Sequence, residues 1–357
     1  MKIFQLINSV IGGGLFLAVA LSAAESPVNG VLLDQGQLEN VNFKFVEAFG
    51  FSTVVILSQA EGRGAVGLQE SINGIKDAGL NTALWIEVAR DSELAAAHPE
   101  WMASLQGHPE WRRFYPDFPE LKEGEVVKVF PWVPISYEEA FAAQLKKVDR
   151  VLERWPKIQQ VFLNDIQAAP SACGCGHPLC RWTADYGPIK TATPMGPNFA
   201  ARFIQAVRAL RDGLEVIPVW ATECEEGDKP GLCAGVGCFN GACWRDWTAQ
   251  LEPLASESHR IGALLLKETF QRTDSDVKLA EGWLSQISKM FTSMPEKHNH
   301  PAIGPERLIA VIEGWSPSMQ ASLGGQLAEL RSAGVHSFVV AQTKIDQSWE
   351  PRVIEVP

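Results

Sequence analysis

The feature that most constrains this chain is a rhythm. Short apolar runs rich in Val, Ile and Leu alternate with longer amphipathic segments over most of the sequence. Eight runs read as strands: STVVILS (52–58), NTALWIEVA (81–89), VVKVFPWVP (126–134), IQQVFLND (158–165), LEVIPVWA (214–221), IGALLLKE (261–268), RLIAVIEGW (307–315) and VHSFVVAQT (335–343). Several are almost continuously apolar, as strands are when both faces are covered. The segments between them have helical spacing. Phe141, Leu145, Val148, Val151, Leu152 and Trp155 share a face after a Ser136/Glu139 capping pattern. Phe199, Phe203, Val207 and Leu210 do the same before Gly213, as do Val277, Ala280, Trp283, Leu284, Ile287 and Phe291 further on. Ser316-Pro317 opens a last helix that stops at Gly334. IKDAGLNTALWIE and LRSAGVHSFVVAQ repeat one layout: helix end, glycine, strand.

Eight strands alternating with helices predict a single-domain (β/α)8 barrel. VLLD (31–34) is an alternative first strand that would shift the count by one, and residues 35–50 read as a helix. A doubly wound open sheet fits less well, because LSQAEGRGAVG after the first counted strand lacks the G-x-G-x-x-G spacing of a phosphate loop.

Lys2, the apolar run ending FLAVALSAA and the small residues of Ser22-Ala23-Ala24 predict a signal peptide over residues 1–24. The expected mature domain is 25–357, secreted or periplasmic, with no membrane span after cleavage. A retained anchor is the alternative, but no stop-transfer pattern follows. The net charge of −11 argues against nucleic acid or an anionic membrane as partner. Twelve Trp against three Tyr suit a neutral, ring-shaped ligand such as a sugar, although tryptophan is mostly a core residue.

In such a barrel, chemistry sits at the C-terminal ends of the strands. The strand ends offer Glu87 with Arg90 and Asp91, Trp132 with Ser136, Asn164 with Asp165, Trp220 with Glu223, Lys267 with Glu268, Glu313 with Trp315, and Gln342 with Lys344. The set is rich in carboxylates and lacks histidine, which weighs against a histidine-ligated metal hydrolase. No G-x-S-x-G elbow is present. Carboxylates facing one another suit glycosidic cleavage, in which one protonates the leaving oxygen and another attacks or activates water.

Asn164-Asp165 in FLND and Glu313 in VIEGW carry a resemblance to the (β/α)8 glycoside hydrolase superfamily. Its main retaining clan ends strand four in Asn-Glu and strand seven in a nucleophilic Glu. The resemblance implies Asp165 and Glu313 as the catalytic pair. Glu87, Asn164, Trp132, Trp220, Glu268 and Trp315 are the expected substrate-binding residues. Asp165 departs from the pattern by one methylene, which shortens its reach by about 1 Å. Three readings stay open: a glycan-cleaving enzyme, a carbohydrate- or cell-wall-binding barrel without hydrolysis, and a substrate-assisted hexosaminidase-like enzyme needing no strand-seven nucleophile. Asn164-Asp165 also has a plain structural reading, as a cap for the loop that follows. The repeated His-Pro-Glu-Trp at 98–101 and 108–111 resembles runs lining sugar clefts, or else packs its loop down through Trp101 and Trp111.

All seven cysteines fall after strands four and five. An exported chain favours disulfides, and an odd number leaves one over. Cys173, Cys175 and Cys180, with a histidine, would form a closed structural zinc site and leave four cysteines for two disulfides. Disulfides with one free thiol are the alternative. No cofactor is expected for catalysis itself.

Overall fold

The computed structural model describes residues 27–58, 65–105, 116–166, 195, 198–221, 260–266, 284–285, 288, 304–315, 317–346 and 348–355. The expected signal segment, the seven cysteines, Glu268 and the second His-Pro-Glu-Trp copy lie outside them, as does the side chain of Trp220.

Eight parallel strands close into a barrel. In ring order they are β1 (Asn29–Leu33), β2 (Thr53–Ser58), β3 (Asn81–Glu87), β5 (Gln160–Asn164), β6 (Glu215–Ala221), β7 (Ile261–Leu265), β8 (Leu308–Glu313) and β9 (Ser337–Ala341). Closure is made by β1 lying parallel to both β2 and β9. The strand signal works because successive side chains take opposite faces. Leu32, Val55, Trp85, Phe162, Ile217, Val219, Leu264, Ile309, Val311 and Val339 fill the interior. Their sequence neighbours, among them Val31, Val54, Leu84, Val161, Val216, Leu265, Ala310 and Val340, point outward under the helices. Trp85 and Phe162 stack within the barrel with ring centres 5.9 Å apart and planes at 19°. Such an aromatic pair adds roughly 0.5–1.5 kcal/mol beyond the area it buries.

Two corrections to the sequence count offset each other. The alternative VLLD run is the true first strand. The VVKVFPWVP run is not in the barrel: β4 (Glu125–Phe130) pairs antiparallel with β10 (Glu350–Glu355) in a separate two-stranded sheet. Its composition explains this. Val127 and Val129 face a small core with Ala103, Leu105 and Trp132, while Lys128 interrupts the run. Strands covered on both faces read as near-continuous apolar runs, and a lysine in mid-run breaks that pattern. The net result is that Asn164 still ends the fourth barrel strand and Glu313 still ends the seventh.

The described helices are α1 (Gln35–Leu38), α2 (Phe43–Ala48), α3 (Ala65–Asp77), α4 (Ser92–Ala97), α5 (Glu138–Arg154), α6 (Phe199–Ala209) and α7 (Pro317–Ser332). The expected helix over 35–50 divides into α1 and α2. Helix α5 starts after Tyr137 without a side-chain cap, so the Ser136/Glu139 pattern does not form a box. Among the described residues, Asp34 and Gln37 do form a box, at the start of α1. The two matched glycine joints do coincide: Gly79 and Gly334 have φ of 77° and 81°. At each, the next residue donates back five positions, Leu80 to Ile75 and Val335 to Leu330, at 3.1 and 3.0 Å. That is the six-to-one bond of a glycine-terminated helix.

Candidate active site at the C-terminal mouth of the barrel

The alternation along each strand decides which residues reach the mouth. On β3 the inward series is Ala83, Trp85 and Glu87; on β5 it runs from Phe162 to Asn164; on β8 it is Ile309, Val311 and Glu313. Glu87, Asn164 and Glu313 therefore form the outermost inward layer of their strands. Glu87 and Asn164 are register partners on neighbouring strands. Strands three and seven of an eight-membered ring lie opposite each other, so Glu313 ends the strand across the axis from Glu87.

Glu87 is partly exposed and held on both oxygens. Trp85 Nε1 donates to Oε1 at 2.7 Å, and Asn164 Nδ2 donates to Oε2 at 2.8 Å. Burial, and then the negative charge of Asp165, push the Glu87 carboxyl up from 4.5 to about 8. Arg90 and the two hydrogen bonds act against that rise without cancelling it. Burial and the neighbouring carboxylate thus favour the protonated form of Glu87 more than in an ordinary glutamate.

Asp165 lies one residue beyond the strand with φ of 57°, in the left-handed region that Asp tolerates better than most residues. The β3–β5 ladder continues past both strand ends: Val88 N donates to Asn164 O at 2.9 Å and Ala89 N to Asp165 O at 3.0 Å. This turn points the Asp165 carboxylate at Arg90, whose Nε donates to Oδ2 at 3.0 Å. The two side chains are 0% and 8% exposed, respectively. Burial works against the Arg90 charge, but Asp165 and Asp346 act against that, and the guanidinium value is raised. Its carbon sits 5.5 Å from the centre of the Trp132 ring, and Nη1 donates to the Ser348 carbonyl.

These placements revise several expectations. Asp165 is enclosed and engaged by Arg90, so in this geometry it offers no open oxygen to a leaving group. Trp132 is fully buried beneath Arg90 and presents no ring face on which a sugar could stack. Asn164 is also buried, with its amide nitrogen committed to Glu87. Glu313 is 4% exposed at the end of β8. Gly314 follows it, and a Cβ there would collide with Val340 and Gln342, so only glycine lets β8 leave the barrel this close to β9. Trp315, next along, is partly exposed and packs on the inner core, which leaves it able to flank a ligand. The first His-Pro-Glu-Trp copy packs its loop down: His98 stacks on Trp101 at 3.7 Å, and Trp101 lies on the cluster of Ala95, Met102, Val133 and Ala140.

Sequence reasoning missed Lys147. From α5 its Nζ donates to the carbonyls of Glu87 and Val88 at 2.9 and 3.3 Å and pairs with Asp91 at 3.0 Å. It fixes the backbone from which the Glu87 side chain projects. The signal was present as a lysine beside Val148 in an otherwise apolar stripe. Among the described residues, no group of three or more His, Cys, Asp or Glu side chains is disposed to hold a metal ion. None of the described helices is long and apolar enough to cross a membrane.

No family model matches the chain, and no curated protein matches it in sequence. Solved structures do. They include an L-ribulose 3-epimerase, at 12% identity over 89% of this chain and 81% of that one, with a TM-score of 0.43. The endo-1,4-beta-D-mannanase of Thermotoga petrophila shows 11% identity over 88% of each chain, with a TM-score of 0.47. A GH5-4 broad specificity endoglucanase from Clostridium acetobutylicum shows 12% identity over 85% of this chain and 78% of that one, with a TM-score of 0.43. The chemistry of the mouth rests on this chain's own side chains.

Proposed function

We propose that this barrel cleaves a glycan, with Glu87 as the proton donor and Glu313 as the carboxylate opposite it. The observation that carries the reading is the Glu87 carboxyl. It faces the axis, is oriented by Trp85 and Asn164, and has its proton affinity raised by burial and by Asp165. That is what a general acid needs at a working pH near 7. In the proposed reaction the Glu87 proton passes to the glycosidic oxygen as the bond from that oxygen to the anomeric carbon breaks. Glu313 takes a proton from the water whose oxygen bonds that carbon, or bonds the carbon itself before water displaces it. Trp315 would flank the sugar, joined by Trp220 and Glu268. In this proposal the protein is exported, and Cys173, Cys175 and Cys180 staple the loop after β5 by structural zinc or disulfides.

The test is release of reducing ends from a panel of oligosaccharides by the wild type, Glu87→Gln and Glu313→Gln. Each variant should lose about 10²–10⁴-fold in kcat/KM. Undiminished hydrolysis by Glu87→Gln would sink the assignment of the acid. Binding without turnover by the wild type would favour a non-catalytic carbohydrate-binding barrel. Activity that survives Glu313→Gln but not Asp165→Asn would favour the substrate-assisted chemistry.

A further inference from the structure

The Arg90–Asp165 pair is more elaborate than a loop cap needs. Asp165 has adopted a left-handed backbone to reach Arg90, and both side chains have left water to meet. Arg90 is also gripped from two other parts of the chain, by the Trp132 ring beneath it and by the Ser348 carbonyl from the segment leading to β10. Asn164, immediately before Asp165, is the residue that grips Glu87, and Arg90 follows Glu87 by three positions on the same strand exit.

We propose that Arg90 and Asp165 are positioning residues which act on a substrate only through Glu87, fixing the Asn164 amide against it and balancing opposite charges behind it. The proposal deepens the reading of Glu87 as an acid, and rests on that reading for its relevance to turnover. Among the described residues, the groups around Glu87 are few. Asp165 and Arg90 stand behind it, and Trp85 and Asn164 bond its oxygens. Lys147 reaches from α5 to the Glu87 main-chain carbonyl, and Glu313 ends β8 across the axis. Asp346 bears on Arg90 from the far side.

Asp165 disfavours the ionised Glu87, so Asp165→Asn lowers the pH at which Glu87 releases its proton. Arg90 favours the ionised form, so Arg90→Gln raises that pH. The double variant, with both charges gone, falls between the two. Charges this close shift a carboxyl by about one unit or more. An infrared titration of the carboxyl, assigned by its loss in Glu87→Gln, reads this without substrate, so it stands apart from whether any glycan is cleaved. Arg90→Lys keeps the charge but not the two-pronged guanidinium, and should hold the midpoint nearer the wild type than Arg90→Gln does. Opposite shifts for the two single variants, with the double between them, are the expected result. If Arg90→Gln does not fold, Asp165→Asn and the double variant carry the test alone. Midpoints that agree with the wild type in the folded variants, or that move in one direction for both single changes, overturn the proposal.

Discussion

Arg90 and Lys128 are both buried cations, and the fold treats them in opposite ways. Arg90 lies where β3 leaves the barrel. It has a carboxylate at 3.0 Å, an indole face beneath it and a main-chain carbonyl beyond. Lys128 lies in the accessory sheet, 1% exposed, and its hydrogen bond is to the Met102 carbonyl at 2.9 Å. Burial lowers the Lys128 ammonium from 10.5 to about 8, with only Glu100 pulling the other way. A buried charge with a matched partner stays ionised; one with a single neutral acceptor gives up part of its hold on the proton. The comparison separates a region built to keep charge from one that merely contains it.

The largest effect should come from breaking the matched region. Arg90→Ala leaves Asp165 buried without its partner, and urea unfolding should show a loss of about 3–5 kcal/mol. A loss below about 1 kcal/mol would mean that the pair is no more than a surface-like contact.

The next effect concerns Glu87 and depends on pH. Its carboxyl has a raised value in the folded chain, near 8 against 4.5, so the native state holds a proton that the unfolded chain has released between those values. Stability on this account falls as pH rises from about 4.5 to about 8 and is level beyond. Glu87→Gln removes the penalty. It should leave stability at pH 4 nearly unchanged and raise it at pH 9 by on the order of 1–2 kcal/mol, the partly open mouth screening the rest. Equal changes at both pH values would show that the charge at Glu87 is not what the site resists.

The smallest effect tests the unmatched cation. The Lys128 value is lowered on folding, so its contribution to stability rises with pH from about 8 to 10.5. Lys128→Met should stabilise the protein at pH 7 by about 1 kcal/mol, the gain being limited by the Met102 carbonyl left without its donor. The gain should shrink by pH 10. Destabilisation at both pH values would mean that the ammonium is matched after all.

How much of this was legible in the sequence follows from the same physics. Barrel strands announce themselves because burial on both faces removes polar residues from the run, and Gly79 and Gly334 announce helix ends because few other residues tolerate their backbone. Asn164-Asp165 and Glu313 were placed at strand ends for that reason. The strand count was right only through two offsetting errors, although Lys128 in mid-run was a visible warning against β4. What could not be read was the division of labour among carboxylates. Glu87 and Asp165 are chemically alike in sequence. One turns inward by strand parity, whereas the other turns toward Arg90 because a single residue takes a positive φ. That choice depends on the loop's path and on a contact with Ser348, which no local pattern encodes. Trp132 is equally opaque, because an aromatic at a strand end looks the same in sequence whether it awaits a ligand or lies under a guanidinium.

The pairing of β4 with β10 has a consequence for how the chain acquires its shape. Arg90 and Ser348 are separated by 258 positions. During synthesis the segment carrying Glu87 emerges long before the strand that will brace it. Until then β4 presents an open edge to whatever else is nearby, including other nascent chains. Closure of the barrel needs β9, which ends nine positions before β10 begins, so the ring and the setting of Arg90 behind the acid both wait for the same late-emerging stretch.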